Sequence, residues 1–241
     1  MKRILSVIAL SAVIGVAGVS GAAAEMTKTD IEKIVEDYLL NNPEIILKSV
    51  NDYQTKGVAE QQAKALETNS RKLFDDENTP YAGNKDGDVK VVEFFDYNCG
   101  YCKRVIGDVN KLIDEDENVK VIFKDYPILG PTSVTAAHWA LAADKQGKYL
   151  EYHTALLNNQ GRMDEATLEA KAKEVGLDVE KLKADAESDE VKAQIQENLE
   201  LAQSMNISGT PAFIIGEQVF PGAIPYEAMT NAVKDARADS E

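Results

Sequence analysis

A chain of 241 residues with 44% hydrophobic content can hold one good-sized core and a smaller appendage. Its 41 acidic against 26 basic side chains give a formal net charge of −15. Such a field disfavours nucleic acid and anionic lipid, whose binding rests on lysine and arginine meeting phosphates, and leaves protein or peptide clients.

The chain opens on Lys2-Arg3, an apolar run over residues 4–19 and Ala22-Ala23-Ala24, the order of a secretory signal peptide over residues 1–24, with cleavage expected after Ala24. The run contains Ser and Gly and falls short of the roughly 20 strongly apolar residues of a membrane anchor, so export is expected. Residues 27–74 are helical in pattern. Ile31, Ile34, Val35, Tyr38 and Leu39 repeat at three and four, Asn42-Pro43 restarts a helix with Asn as cap and Pro at its first position, and Ile45, Ile46, Val50 and Tyr53 continue the apolar face. After Gly57 the run to residue 74 is mostly polar. Short helices are marginal alone, so these stripes must meet the main domain or another copy of the chain. Residues 25–80 are accordingly expected to be an N-terminal helical segment that oligomerises, with residues 75–88, which contain Pro80, Gly83 and Gly87, as a linker or loop.

The domain proper is expected over residues 81–241. Residues 89–95 suit a strand buried on both faces of a parallel or mixed sheet, interrupted by Glu93. Val105, Val109, Leu112 and Ile113 then repeat at helical spacing, which places Cys99 as the cap of a helix. A second strand over 119–124 alternates Lys120 and Lys124 with Val119, Val121 and Phe123. Helices are expected over 132–145, 149–158, 165–175 and 179–205, a hairpin over 212–215 and 218–220 turning at Gly216-Glu217, and a last helix from Pro225 to Asp235. This is an α/β plan with a helical insertion at about 128–206.

The chemistry concentrates at Cys99-Gly100-Tyr101-Cys102, which holds the only two cysteines. A structural bridge across so short a loop removes little unfolded-state entropy, and zinc wants four ligands where His138 and His153 lack finger spacing, so no metal is expected. Two thiols at a helix start can instead form and break a disulfide with little backbone motion, and the unpaired amides there favour a thiolate. Cys99, the outer thiol, is expected to be the nucleophile and Cys102, one turn in, the resolving thiol. Glu93, a carboxylate among Val and Phe six residues before Cys99, should titrate high if buried; its alternative is to face solvent or pair with a lysine such as Lys90. His138 and Trp139, among Ala and Leu, read as packing residues. Tyr101, between the thiols, is expected to be exposed near a client and to tune the redox poise.

The segment Val92-Glu93-Phe94-Phe95-Asp96-Tyr97-Asn98-Cys99-Gly100-Tyr101-Cys102 resembles the active-site strand and helix start of the DsbA-like thioredoxin-fold family, and Ser208-Gly209-Thr210-Pro211-Ala212-Phe213 resembles its cis-proline loop. The resemblance covers about residues 85–238. It implies a thioredoxin-like fold, a periplasmic location, a redox-active Cys99–Cys102 disulfide in place of any cofactor, and a membrane redox partner that resets it. It also implies that Pro211 packs in cis beside the sulfurs, that the Thr210 backbone pairs with an extended client peptide, and that Glu93 relays a proton for Cys102. By spacing alone Pro211 would be trans and merely open an edge strand. Strong oxidants of the family carry Pro-His between the cysteines; Gly100-Tyr101 resembles instead the pair of periplasmic isomerases of the DsbC kind. A helical segment before a DsbA-like domain resembles the ScsC type, some of which trimerise through it. The expected function is therefore exchange of disulfides in exported proteins by an isomerase or reductase held as a homo-oligomer, a trimer. The alternatives are a monomeric dithiol oxidase and, from a different class, a chaperone or copper carrier using two soft thiolates.

Overall fold

The architecture is that of a computed structural model, which describes residues 26–161 and 163–239. The signal sequence expected over residues 1–24 lies outside them. The chain divides between Gln54 and Thr55 into two compact units.

In the first unit, helix α1 (Lys28–Asn41) starts from a capping box: the Thr27 hydroxyl accepts the Asp30 amide at 3.3 Å and the Asp30 carboxylate accepts the Thr27 amide at 3.1 Å. It ends at Asn42, and helix α2 (Pro43–Phe74) follows, with Pro43 at a position whose missing N–H is no loss. The apolar face read from the sequence forms and stays open to solvent. Ile34, Tyr38, Val50 and Tyr53 are 55%, 57%, 50% and 81% exposed.

The second unit is built on a mixed sheet in the order β1-β3-β2-β4-β5. Its strands are β1 (Tyr81–Gly83), β2 (Val89–Phe95), β3 (Val119–Asp125), β4 (Ala212–Ile215) and β5 (Gln218–Pro221). Helix α3 (Gly100–Glu115) is the crossover between β2 and β3, which are therefore parallel; every other pair is antiparallel. Between β3 and β4 lie five helices, α4 (Pro131–Asp144), α5 (Tyr149–Leu157), α6 (Glu165–Glu174), α7 (Val179–Ala186) and α8 (Asp189–Ser204), and α9 (Tyr226–Ala238) closes the chain. One face of the sheet, with Val91, Phe95, Val121, Phe123 and Phe213, packs against α3, α9 and the helical insertion. On the other face Val92, Phe94, Ile122 and Ile214 pack with Leu201 and Met205 and with Leu66 and Leu73 of α2. Each fully buried side chain of this size is worth about 2 kcal/mol of removed apolar surface.

Four expectations change. The boundary drawn at residue 80 moves back to Thr55, because Leu66 and Leu73 seal the second face of the sheet. The segment read as linker contains β1, in register with β3 from Tyr81↔Ile122 to Gly83↔Lys120. Gly83 ends it at φ +82°, where a Cβ would stand 2.5 Å from the Val119 carbonyl oxygen, so the glycine marks a close approach of two backbones. The single helix expected over 179–205 breaks at Glu187, and Ser188 starts α8 by accepting the Val191 amide at 3.4 Å. Lys124, expected on a polar face by alternation, is 1% exposed. Its ammonium reaches Asp76 Oδ2 at 3.2 Å and donates to Thr79 Oγ1 at 2.6 Å.

A buried ammonium tied to one carboxylate sets a testable cost. Asp76→Ala should destabilise the protein by about 3–5 kcal/mol, since it strands a buried charge, whereas Lys124→Met, which removes the charge and keeps the volume, should cost far less. Denaturant unfolding of both variants checks this, and equal costs would contradict it.

Candidate functional site: a dithiol at the head of a helix

Strand β2 delivers the chain to the site. It ends at Phe95, and residues 96–99 turn so that the Cys99 amide donates to the Asp96 carbonyl at 3.0 Å. Cys99 is the N-cap of α3, in extended geometry at φ −74° and ψ 116°, and its sulfur accepts the Cys102 amide at 3.5 Å where a Ser or Asp oxygen would ordinarily sit. Strand β4 brings the second loop. Its register with β2, Phe94↔Ala212 and Glu93↔Phe213, makes the chain entering β4 meet the chain leaving β2 at one end of the sheet. The Thr210–Pro211 bond there is cis, and the Cys99 thiol donates to the Thr210 carbonyl at 3.2 Å. Both cysteines are free thiols.

The two sulfurs have opposite surroundings. Cys99 is pulled down to about 5, first by the hydrogen bond from the Cys102 side chain and further by the Thr210 side chain and the Cys102 and Tyr101 amides, against the opposing effect of burial. Cys102 is fully buried, and its thiol is pushed far above the ordinary range by that burial, by its hydrogen bond to Cys99 and by the nearby charge of Glu93. Glu93 is 1% exposed, and among the described residues neither of its carboxylate oxygens finds a hydrogen-bond partner. Burial, with the Cys99 charge in addition, raises it to about 8. Lys90, the partner considered from the sequence, pairs with Asp75 instead, so the solvent-facing alternative for Glu93 falls.

The structure thus gathers Cys99, Cys102, Gly100, Tyr101, Thr210 and Pro211 at one end of the sheet, with Glu93 beneath the sulfurs. Gly100 has open space where a Cβ would stand, and Tyr101 is 59% exposed with the Arg104 guanidinium 4.0 Å over its ring. Thr210 and Pro211 also line a cleft of about 410 Å³ whose other walls include Val58, Gln62, Met205 and Ile207. Trp139 is buried on α4, as read from its neighbours.

Sequence reasoning missed a set of buried polar groups. Asp125 and Tyr149 share a hydrogen bond of 3.0 Å, and Tyr97 meets His153 Nδ1 at 3.1 Å, within a cluster that includes Phe95 and Phe123. Burial raises Asp125 to about 8 and lowers His153 to about 3, so the imidazole stays neutral. Tyr97 alone carried a signal, by lying two residues before Cys99; Asp125, Tyr149 and His153 are brought in from two other elements. Among the described residues no group of three or more His, Cys, Asp or Glu side chains is placed to hold a metal ion.

A thiol with its pKa well below neutrality beside a buried partner one turn away is equipped for nucleophilic sulfur exchange. Comparison with known proteins agrees. A thioredoxin family profile matches residues 75–235, and the profile of the copper resistance protein ScsC N-terminal domain matches residues 28–60. The chain is similar to a thioredoxin-like oxidoreductase of Silicibacter pomeroyi DSS-3, at 45% identity over 70% of this chain and 97% of that one, with a TM-score of 0.68. It is also similar to Proteus mirabilis ScsC in a compact conformation, at 33% identity over 89% of this chain and all of that one, again with a TM-score of 0.68. Among curated proteins it is 30% identical over 158 residues to the Na(+)/H(+) antiporter NhaA 1 of Salinispora arenicola; the match covers 65% of this chain and 24% of that protein, so the chain spans about a quarter of the length of such relatives. The chain belongs to the thioredoxin family, as a DsbA-like thioredoxin-fold protein of the ScsC type.

Proposed function

We propose that this protein exchanges disulfides in exported proteins of the periplasm, acting as an isomerase or reductase from a trimer. The observation that carries the reading is the asymmetry of the dithiol: an acidic Cys99 facing the Thr210–Pro211 loop and a buried Cys102 whose thiol resists ionisation. The Cys99 thiolate attacks one sulfur of a client disulfide, forming a mixed disulfide and releasing the other client sulfur as a thiolate. Two exits follow. In the isomerase exit the freed client thiolate attacks another client disulfide, and a later client thiolate displaces Cys99; no net electrons move. In the reductase exit Cys102 passes its proton to the Glu93 carboxylate and attacks the Cys99 sulfur. The client then leaves carrying two more electrons, and a Cys99–Cys102 disulfide remains. A membrane dithiol partner supplies the two electrons that reset the pair. Glu93 suits the relay because its raised pKa places it between charged and neutral forms near neutrality.

The trimer reading rests on the open apolar face of the first unit, with Ile34, Tyr38, Val50 and Tyr53 exposed. A patch of this kind on a helix pair needs a partner, and a second and third copy of the same face supply one. Exchange sites held together on one assembly then act on a single client several times.

Three outcomes test this reading. The mature chain should restore a scrambled disulfide substrate, and should sediment as a trimer at micromolar concentration; a monomer active only on fully reduced substrate would instead establish a dithiol oxidase. Cys102→Ser should accumulate a mixed disulfide with exported proteins, because the reductase exit is closed, and an absence of any such adduct would point to a non-turnover binding role. The third concerns pH. Glu93 is raised in the folded state, so its contribution is full below about 4.5 and is lost as pH rises through about 8. Cys99 is lowered, so its contribution is present above the ordinary value of 9.0 and is lost as pH falls through about 5. Relative to the reduced native protein, Glu93→Gln should gain stability as pH rises from 4.5 to 8 and Cys99→Ser should lose it from 5 to 9. Denaturant midpoints across that range measure both, and parallel curves for all three proteins would contradict the assignment.

A further inference from the structure

The turn between β2 and α3 is held by a side chain that the exchange chemistry does not use. Asp96 is 1% exposed and lies three residues before Cys99. Its Oδ1 accepts the Asn98 amide at 2.8 Å and its Oδ2 accepts the Leu129 amide at 2.9 Å, so one carboxylate joins the turn over residues 96–99 to the segment between β3 and α4. Asn98 repeats the tie: its Nδ2 donates to Thr132 Oγ1 at 3.0 Å and to Ser133 Oγ at 2.9 Å, at the first residues of α4. The main chain of the same aspartate serves both sulfurs. Its carbonyl accepts the Cys99 amide at 3.0 Å, and its backbone supplies a hydrogen bond that favours the Cys102 thiolate.

We propose that Asp96 is the positioning residue of the dithiol: its buried carboxylate clamps the turn to the loop before α4 and thereby holds Cys99 in capping geometry and the Asp96 backbone against Cys102. This rests on the reading of Cys99 and Cys102 as the reactive pair and assigns the residue that sets their geometry. An acid suits the place because both groups facing it are N–H donors, and a carboxylate offers acceptors alone. An asparagine has the same shape but one oxygen, so its NH2 would face a donor and one of the two ties would be lost.

Clamping and charge act in opposite directions, which makes the role measurable. The groups facing Cys99 are Cys102 and Lys103 from α3, Glu93 from β2, Thr210 from the loop before β4, and the turn itself. Lys103 feels both Asp96 and Cys99 and is anchored by donating to the Asn159 carbonyl at 2.7 Å. Removing a negative charge near this cation would make Cys99 more acidic. Loosening the turn weakens the cap and makes Cys99 less acidic.

The test is the pH profile of Cys99 alkylation in the reduced full-length protein, with Asp96→Asn and Asn98→Ala. At about pH 4, below the Cys99 midpoint, Asp96→Asn should slow alkylation about tenfold, the equivalent of roughly 1.4 kcal/mol, and Asn98→Ala should slow it in the same direction by less. An Asp96→Asn profile that is unchanged, or displaced to lower pH, overturns the proposal. Should Asp96→Asn fail to fold, Asn98→Ala decides, and a native profile there overturns it equally. Alkylation needs no client. A displaced profile in a protein that exchanges no disulfides would count against the proposed function alone, and a native profile in the variants with intact exchange would count against Asp96 alone.

Discussion

Everything distinctive about this protein depends on a sulfur occupying the N-cap of a helix. The first amides of α3 have no partner within the helix, and in most helices an oxygen of Ser, Thr or Asp satisfies one of them. Here Cys99 does so, and the same hydrogen bonds that complete the helix stabilise the sulfur's charged form. Folding and reactivity are thus one set of contacts. The sulfur is acidic with no separate base beside it and no histidine between the cysteines.

The rest of the second unit makes the two thiols unequal. β2 and β4 run antiparallel and meet at Phe94↔Ala212, so the sheet carries the cysteine turn and the Thr210–Pro211 loop to the same edge of the molecule. Burial inside that edge is a disadvantage for any charge, and the protein uses it selectively. Cys102 and Glu93 are both taken out of water, so Cys102 keeps its proton through the neutral range while Glu93 exchanges its own near 8. Cys99 faces the loop with its charge supported. The pair thus holds one sulfur that ionises readily and one that keeps its proton.

Much of this was legible in the residues. The run over 89–95 formed a strand with those limits, the hairpin at Gly216-Glu217 formed, and Cys99 became the cap that its position before Val105 and Val109 implied. These features are local: periodicity and turn chemistry decide them within a few residues. What escaped depends on contacts made far along the chain. β1 is three residues long and exists because β3 offers it an edge. The burial of Lys124 follows from Asp76 and Thr79 arriving from another segment, which no alternation pattern can encode. The break at Ser188 was hidden because apolar spacing continues across it without glycine or proline, although Ser followed by Asp189-Glu190 is a helix-start pattern. At the site, the cysteines and Glu93 were visible as types in a spacing and Pro211 through the resemblance of its loop, whereas Asp96, Asp125 and His153 acquire meaning only from the neighbours that bury them.

The account stands most directly on the ionisation of one sulfur, which ultraviolet thiolate absorbance of the reduced protein reads without any client or partner. A single thiolate should appear with a midpoint near 5, vanish in Cys99→Ser and persist in Cys102→Ser, with Cys102 silent through the neutral range. A midpoint near the ordinary 9.0, or an acidic thiolate that survives the loss of Cys99, would contradict it.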